Sequence, residues 1–184
     1  MQTSLTEIEG VILITPRKFT DDRGFFYESF RQNVFAEAAK SNDVFVQDNH
    51  SFSETQYTVR GLHYQSPPFA QGKLVRCTQG RVFDVAVDVR RGSSTYGKYV
   101  SAILSAENMT QIYVPPGFLH GFATLEPNCE VQYKCTNYYH PDHDGNIMWN
   151  DSDIAIDWGF DNRLAVVSQK DAGAPSFSNF VSPF

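Results

Sequence analysis

A series of short strand-like runs between residues 44 and 138 limits the possible folds more than any other feature of the sequence. The runs are rich in valine and aromatic residues, and turns containing glycine, proline or asparagine recur about every 8–12 residues. We therefore predict an all-β fold, an antiparallel β-sandwich or jelly roll with a few short helices. The runs are 44–51, 59–65, 73–78, 81–89, 96–104, 111–117, 121–125 and 130–138.

Two of the turns are short enough to predict β-hairpins. One hairpin would join 73–78 to 81–89 across the Gln79-Gly80 turn. The other would join 121–125 to 130–138 across a Glu-Pro-Asn turn.

The segments outside these runs carry weaker local signals. Residues 10–16 predict a first strand that a proline ends, and 22–24 predict a turn. Residues 33–40 have apolar side chains at helical spacing, so we predict one clear helix with Asn33 as its N-cap. Residues 168–171 have the pattern of a capping box with aspartate in the glutamate position, which predicts a short helical turn.

The chain is long enough to bury a core of its own, and we expect residues 1–184 to form a single domain. The formal net charge of −6 argues against nucleic acid and anionic membranes as partners. The sequence has neither a basic leader nor an apolar run near the roughly 20 residues of a membrane helix, so we expect a cytoplasmic protein. Its three cysteines form no CxxC pair, which favours buried thiols over disulfides or zinc.

The run 59–65 combines an arginine, a histidine and a glutamine without a carboxylate, and we interpret His63 as a base near an anionic substrate. Alternation of side chains along the run leaves its orientation open, because His63 lies on the same face as Val59 while Arg60 lies with Leu62. A lone histidine on a strand is more simply explained as a core residue, so the base needs partners.

Two candidate partners start from apolar strand faces. Alternation places Tyr133 with Val131 on the inward face of its strand, and Lys73 with Val75 on the inward face of another. Polar ends on inward faces are costly unless something uses them. Taken singly, the tyrosine could be an amphipathic core residue and the lysine could extend from a strand end.

Several histidines in a jelly roll also raise the alternative of a metal-binding cupin, which usually has an HxH pair with a further glutamate and histidine. Here the candidate strand offers only His63, and Gln65 takes the second position. His140 and His143 belong to a Pro-Asp loop, and His120 follows a Pro-Pro-Gly turn. Metal ligation needs three or four convergent donors, so we expect no metal site.

Several short sequence blocks occur together along the chain. They are DRGF at 22–25, VQDNHS at 46–51, RGLHYQ at 60–65, QGKL at 71–74, DVAVDVR at 84–90, PGFLHGF at 116–122, QYKCT at 132–136 and WND at 149–151. In this order and spacing they resemble the dTDP-4-dehydrorhamnose 3,5-epimerase family, over about residues 10–175. Each block alone is a weak signal, whereas the ordered set is highly specific.

The resemblance implies a cupin-type jelly roll without a metal or cofactor, usually a homodimer, acting on a dTDP-4-keto-6-deoxyhexose at the two carbons beside the ketone. It implies that His63 is the base, Tyr133 the acid on the opposite face, Asp171 the partner of the histidine and Lys73 the cation near the C4 oxygen. It implies substrate contacts for Arg23, Glu28, Gln47, Asn49, Arg60, His120, Tyr139, Asp144 and Lys170.

Some of these positions carry specific expectations. Tyr139 is the implied thymine-stacking aromatic, and Asp144 departs from the family's usual glutamate, which puts its contact in doubt. The chain has no glycine-rich phosphate loop, so side chains must hold the diphosphate, with Arg23, Arg60 and Lys170 as candidates.

Two alternatives to a 3,5-epimerase stay open at this point. One is a relative that inverts only C3 or only C5, or that uses another dTDP-4-keto sugar. The other is a metal-dependent or non-catalytic cupin. The sequence also does not separate rhamnose for a cell envelope from a deoxysugar for a secondary metabolite, because both pathways begin with the same chemistry.

Overall fold

The computed structural model describes residues 2–184, which form fourteen strands and two short α-helices. The strands are β1 Gln2–Leu5, β2 Ile12–Thr15, β3 Phe19–Asp21, β4 Gly24–Phe26, β5 Gln47–Ser53, β6 Thr58–Gln65, β7 Lys73–Gln79, β8 Arg81–Asp88, β9 Tyr99–Ser105, β10 Gln111–Val114, β11 Phe118–Thr124, β12 Cys129–Cys135, β13 Asp144–Asn146 and β14 Val166–Val167. The helices are α1 Gln32–Ala39 and α2 Gln169–Ala172, and 3₁₀ turns span Pro141–His143, Asn162–Leu164 and Phe177–Asn179.

Most of the strands form two sheets. Sheet 1 has the order β1-β2-β10-β7-β12-β5, and sheet 2 has the order β13-β6-β11-β8-β9. Pairing is antiparallel, apart from the short β14, which runs parallel to β6. Strands β3 and β4 form a separate hairpin across Asp22 and Arg23, within the segment 22–24 where the sequence predicted a turn. The all-β sandwich predicted from the sequence is therefore confirmed.

The main core lies where the inward faces of the two sheets meet. Val75 and Val131 of sheet 1 belong to the same buried cluster as Val82, Leu104 and Phe122 of sheet 2. On its other face sheet 2 is covered by the C-terminal third of the chain, in a cluster built from Val59, Leu62, Val85, Leu119, Trp149, Ile154 and Trp158. Sheet 2 is consequently apolar on both faces, which accounts for the nearly continuous apolar stretch 85–87.

The two predicted hairpins are wrong. Strand β7 pairs with β10 and β12 in sheet 1, while β8 pairs with β9 and β11 in sheet 2. Strands β11 and β12 are divided between the sheets in the same way. At the first crossing Gly80 has a φ of 74°, and a Cβ there would lie 2.6 Å from the Cys129 Sγ. A turn signal therefore predicts that the chain reverses direction. It does not predict which strands pair, because pairing depends on which face each strand must bury.

Both helices form close to the positions predicted from the sequence, but one of the two predicted N-caps differs. Helix α1 begins at Gln32 with Arg31 as its N-cap, and no side chain caps it, so the prediction that Asn33 caps the helix is wrong. It packs Phe35 against the outer side of sheet 1. At α2 the predicted cap is confirmed, because the Ser168 side chain accepts a hydrogen bond from the Asp171 backbone N–H.

Two further expectations can be compared with the fold. Cys77, Cys129 and Cys135 are buried free thiols, as predicted. Within residues 2–184, no helix has the length and apolar character needed to cross a lipid bilayer.

Candidate active site

Sheet 1 and sheet 2 enclose a cavity of about 450 Å³ between their inward faces, and an adjoining lobe of about 460 Å³ extends to the protein surface. The lobes share His63, Lys73, Tyr133 and Lys170. Eleven of the thirteen residues implied by the sequence resemblance line this space. The inner lobe adds Arg60, His120 and Asp171, and the outer lobe adds Gln47, Asn49, Tyr139 and Asp144.

His63 on β6 forms a close pair with Asp171 on α2, with 2.6 Å between the histidine Nε2 and the Asp171 Oδ1. The second carboxylate oxygen accepts from the Gly61 backbone N–H at 3.4 Å. Asp171 is only 3% exposed, whereas His63 is partly open to the cavity. Because the carboxylate accepts the Nε2 proton, the lone pair of the imidazole is on Nδ1, which makes Nδ1 the basic nitrogen.

The pKa of Asp171 is lowered from its ordinary value. Burial alone would raise this pKa, but hydrogen bonds from His63 and Gly61 and the charge of the nearby imidazole outweigh it. The carboxylate is therefore ionised at neutral pH and can stabilise a positive charge on the imidazole. The helical cap at Ser168 uses the backbone of Asp171, which leaves its side chain free for His63.

A β-bulge decides the orientation that strand alternation left open. His63 pairs with His120 and Arg60 pairs with Phe122, so three steps along β6 correspond to two steps along β11. The extra residue allows both Arg60 and His63 to line the cavity. Gly61 lies in the bulge with a φ of 139°, and a Cβ there would lie 2.6 Å from the Gly121 Cα, so a larger residue would separate the strands.

Lys73 and Tyr133 project into the same cavity from sheet 1, opposite His63 on sheet 2. Their predicted inward orientation is confirmed. Burial lowers the pKa of Lys73, and the nearby Cys135, Asp144 and Asp84 oppose this only in part. Burial raises the pKa of Tyr133, with Cys135 adding to the effect. The phenol is thus held in its protonated form.

A second histidine–aspartate pair lies next to the first. The Nε2 of His120 is 3.0 Å from both carboxylate oxygens of Asp84, which is fully buried. His120 faces His63 across adjacent strands. Sequence reasoning did not select Asp84 as a functional residue. A signal was present in the sequence, because Asp84 lies on the same strand face as the inward-pointing Val82 and Ala86. A carboxylate buried among apolar residues needs a hydrogen-bonding partner.

Charged and aromatic groups line the outer lobe. Asp144 on β13 accepts from the Lys170 Nζ at 2.5 Å and from the Tyr139 hydroxyl at 3.3 Å. Burial lowers the pKa of Lys170, but the hydrogen bond to Asp144 and its charge raise it above the ordinary value overall. The aspartate in place of the family's glutamate therefore makes contacts of its own. Gln47 accepts from the backbone N–H of Tyr139 at 2.8 Å.

Arg23 and Glu28 are not brought to the cavity of their own chain, as far as residues 2–184 describe its walls. Arg23 is at the tip of the β3–β4 hairpin, its side chain is 90% exposed, and it pairs with Asp21. Glu28 pairs with Arg31 near the start of α1. Neither residue therefore lines the cavity that the other eleven share.

The described residues hold no group of three or more histidine, cysteine, aspartate or glutamate side chains arranged to bind a metal ion. The two histidines that line the inner lobe, His63 and His120, each direct Nε2 at a carboxylate.

Comparison with known proteins gives consistent matches over nearly the whole chain. Residues 5–179 match the model of the family described as dTDP-4-dehydrorhamnose 3,5-epimerase. The Escherichia coli (strain K12) dTDP-4-dehydrorhamnose 3,5-epimerase is 53% identical over 171 residues, which cover 93% of this chain and 91% of that protein.

Solved structures extend these matches to the fold. The crystal structure of a dTDP-6-deoxy-D-glucose-3,5-epimerase from Legionella pneumophila, in complex with dTDP-4-keto-L-rhamnose, has a TM-score of 0.92 and 44% identity, and covers 98% of this chain and 95% of that one. The Elizabethkingia anophelis dTDP-4-dehydrorhamnose 3,5-epimerase also has a TM-score of 0.92 and 44% identity, covering 97% of both chains. The matches confirm the cupin-type jelly roll that the sequence resemblance implied.

Proposed function

Because the chain belongs to the dTDP-4-dehydrorhamnose 3,5-epimerase family, we propose that it converts dTDP-4-dehydro-6-deoxy-D-glucose to dTDP-4-dehydro-L-rhamnose in dTDP-L-rhamnose biosynthesis. The observation that carries the proposal is the placement of a histidine–aspartate base on one sheet and of a lysine and a tyrosine on the facing sheet. Epimerisation needs a base and an acid on opposite faces of one carbon. The positions of His63 and Tyr133 on facing walls of this cavity support such roles for them.

The first step removes a proton from a carbon next to the C4 ketone. The basic nitrogen of His63 takes this proton, and the electron pair of the broken C–H bond moves into an enolate with its charge on the C4 oxygen. The ionised Asp171 stabilises the imidazolium that forms, at the 2.6 Å distance already present. A preorganised carboxylate of this kind needs no rearrangement during the reaction.

The enolate oxygen needs a positive group in the same cavity. Lys73 supplies an ammonium from the opposite wall, where a low-dielectric environment strengthens its attraction for the oxygen. Because its pKa is lowered, the ammonium is more acidic than in water and donates a stronger hydrogen bond to the enolate.

The second step returns a proton to the same carbon from the other face. Tyr133 is on the facing sheet and its raised pKa holds the phenol protonated, so it can donate that proton and invert the centre. The phenolate and the imidazolium then exchange protons with solvent before the next carbon reacts. The same groups serve C3 and C5, because both carbons flank the ketone.

The nucleotide half of the substrate is assigned to the outer lobe. Tyr139 presents a ring that is 56% exposed at the mouth of the cavity, which suits stacking on a nucleobase. Lys170 lines both lobes and provides positive charge near this ring, where a diphosphate would lie, and Arg60 adds positive charge in the inner lobe. Gln47 and Asn49 on β5 line the same lobe and offer neutral hydrogen bonds.

We also propose a homodimer in which each chain completes the site of its partner. Arg23 and Glu28 do not line the cavity of their own chain, yet the family pattern gives them substrate contacts. The β3–β4 hairpin that carries Arg23 also exposes the apolar side chains of Phe19, Phe25 and Phe26. Burial of such side chains against a second copy would stabilise the dimer and direct the arginine to its cavity.

A subunit-mixing experiment tests this dimer. Arg23→Ala and His63→Ala are each expected to be nearly inactive, but their random mixture should recover about a quarter of the sites of the wild-type dimer. Recovery follows because one of the two sites in each mixed dimer has both residues intact. A mixture as inactive as its components, in a protein that is dimeric by light scattering, would place Arg23 in the site of its own chain.

A cytoplasmic location is part of the same proposal. Three thiols are buried and unpaired in the described chain, which suits a reducing compartment.

NMR of the reaction in deuterated water tests the activity, with C3 and C5 read separately. Wild-type protein should incorporate deuterium at both carbons, and His63→Ala should abolish incorporation at both. His50→Ala is the matched control, because His50 makes a similar pair with Glu130 at 3.0 Å outside the cavity. Exchange at one carbon only would indicate a single-centre epimerase, and exchange by His63→Ala at the wild-type rate would remove His63 from the base role.

A further inference from the structure

Gln65 connects the catalytic strand to the loop that carries Tyr139. It is the last residue of β6, two positions after His63, and it is only 5% exposed. Its Nε2 donates to the Phe69 carbonyl and, at 3.0 Å, to the Tyr138 carbonyl. Its Oε1 accepts from the His140 backbone N–H at 2.8 Å. Both ends of the buried amide are thus used to hold backbone groups of two loops.

The segment around Tyr139 is consequently fixed at three successive residues. The Tyr138 carbonyl and the His140 N–H both bind Gln65, and between them the Tyr139 N–H binds the Gln47 Oε1 at 2.8 Å. The Tyr139 ring itself has little packing to hold it, because more than half of its surface is exposed. Its position must therefore come mainly from the backbone, together with the 3.3 Å contact of its hydroxyl with Asp144.

We propose that Gln65 is a positioning residue for nucleotide binding, which acts by ordering the Tyr139 ring as a platform for the nucleobase of the substrate. This inference rests on the proposed function, because it takes the outer lobe to hold a nucleoside diphosphate. Gln65 does not touch the reacting carbons in this scheme. Its loss should change the affinity for the nucleotide, and hence KM, more than it changes kcat.

The substitution Gln65→Met tests the proposal, since methionine has a similar length but no hydrogen-bonding groups. It leaves the Tyr138 carbonyl and the His140 N–H without their partner, so the loop samples other conformations. If the binding conformation is then populated about one tenth of the time, the Kd for dTDP rises about tenfold. Isothermal titration with dTDP measures this Kd, and steady-state kinetics should show a similar rise in KM with a smaller change in kcat.

Gln79→Met is the matched control. The Gln79 Nε2 also holds a backbone carbonyl, that of Asn128, at 2.8 Å. It is at the opposite end of β7 from Lys73, six residues and therefore about 20 Å away. This variant removes the same kind of hydrogen bond and should bind dTDP as the wild type does.

A double-mutant cycle with Tyr139→Ala separates positioning of this ring from a general loss of structure. If Gln65 acts through Tyr139, then Gln65→Met should weaken dTDP binding about tenfold in the wild type but less than twofold in the Tyr139→Ala background. An equal loss in both backgrounds, or dTDP binding by Gln65→Met at wild-type affinity, would overturn the proposal.

Two further outcomes keep the test decisive. If Gln65→Met does not fold, Gln65→Glu is the alternative variant, because it keeps the acceptor for the His140 N–H while losing both donors. Its Kd for dTDP should lie between those of the wild type and of Tyr139→Ala. Binding of dTDP at wild-type affinity would overturn the proposal. A wild-type protein that does not bind dTDP at all would overturn the proposed function, and with it this inference, whereas equal binding by the wild type and by Gln65→Met overturns the positioning role alone.

Discussion

Replacement of Asp171 by asparagine is the most direct test of the base. The substitution changes the charge of the side chain but hardly its shape. Asp171 makes two contacts through its carboxylate, with the His63 Nε2 at 2.6 Å and with the Gly61 N–H at 3.4 Å. The helical cap at Ser168 uses the backbone N–H of Asp171, so Asp171→Asn should leave helix α2 in place.

The expected loss follows from the charge that forms on His63 during proton removal. An imidazolium and a carboxylate with charges about 4 Å apart attract by about 4 kcal/mol at an effective dielectric constant near 20. An asparagine oxygen would keep a neutral hydrogen bond worth about 1 kcal/mol, which leaves about 3 kcal/mol. Each 1.36 kcal/mol corresponds to a factor of ten in rate, so kcat should fall by about 10²-fold. If the asparagine instead directed its NH₂ group at His63, the loss would be larger, because the imidazole would be held in the wrong tautomer.

The assay is the rate of deuterium incorporation at C3 and C5, measured by NMR at saturating substrate. Asp161→Asn is the control, since Asp161 also accepts hydrogen bonds near a helical turn but pairs with the exposed Arg163. A folded Asp171→Asn protein that keeps more than about one fifth of the wild-type rate would refute the role of Asp171, because 1 kcal/mol or less would then separate the two side chains.

Three other substitutions test separate parts of the structure. Tyr133→Phe should reduce net inversion more than it reduces proton exchange, because removal of the proton by His63 does not need the phenol; equal losses of both by NMR would assign Tyr133 another role. Lys73→Met should lower kcat by about 10²–10³-fold with a smaller change in the Kd for dTDP, since an electrostatic group of this kind acts mainly on the transition state; an unchanged kcat would exclude Lys73 as the enolate partner. Asp88→Asn should lower the free energy of unfolding by about 3 kcal/mol at pH 7 in urea titrations, because the fully buried Asp88 accepts charge-assisted bonds from Arg90 and bonds from two hydroxyl groups. Burial alone would raise the pKa of Asp88, but these hydrogen bonds lower it far below its ordinary value of 3.8. The stability they provide is therefore complete above pH 3.8 and is lost as the pH falls further. A difference in unfolding free energy between wild type and variant that does not narrow in acid would contradict this account.

Local rules were sufficient to orient several side chains of the candidate site. The inward faces of Lys73 and Tyr133 follow from simple alternation along β7 and β12, and both side chains line the cavity. The cap at Ser168 was also predictable, because it joins residues three positions apart. The strand ends were less accurate, since β5 begins at Gln47 and β9 at Tyr99, each three residues later than predicted. In both places the residues before the strand make only isolated hydrogen bonds to the neighbouring strand, from the Val46 N–H to the Cys135 carbonyl and between Asp88 and each of Gly97 and Lys98. Apolar composition alone does not show where a continuous ladder begins.

The relation of Arg60 to His63 could not be predicted, because it depends on a bulge that forms only between two particular strands. Residues three apart on a regular strand point to opposite faces, yet both line the cavity. The extra residue in β6 is visible only against its pairing with β11. Asp84 was missed for the same reason. Its place in the site depends on its contact with His120, which is 36 residues away in the chain and lies on a neighbouring strand.

Patterns of residues along the chain were enough to predict the class of fold, the inward faces of the regular strands and, through the ordered blocks, the family. Hydrophobic alternation and turn chemistry act over a few residues, so they can be read along the chain. An ordered set of blocks can be compared between sequences without knowledge of the three-dimensional structure. Packing of the whole chain sets which strands pair, so that β7 and β8 separate into different sheets, and it places the proposed base and the proposed acid on facing walls. Those outcomes depend on contacts between residues far apart in the chain, where the burial of both faces of a strand outweighs the proximity that a tight turn provides.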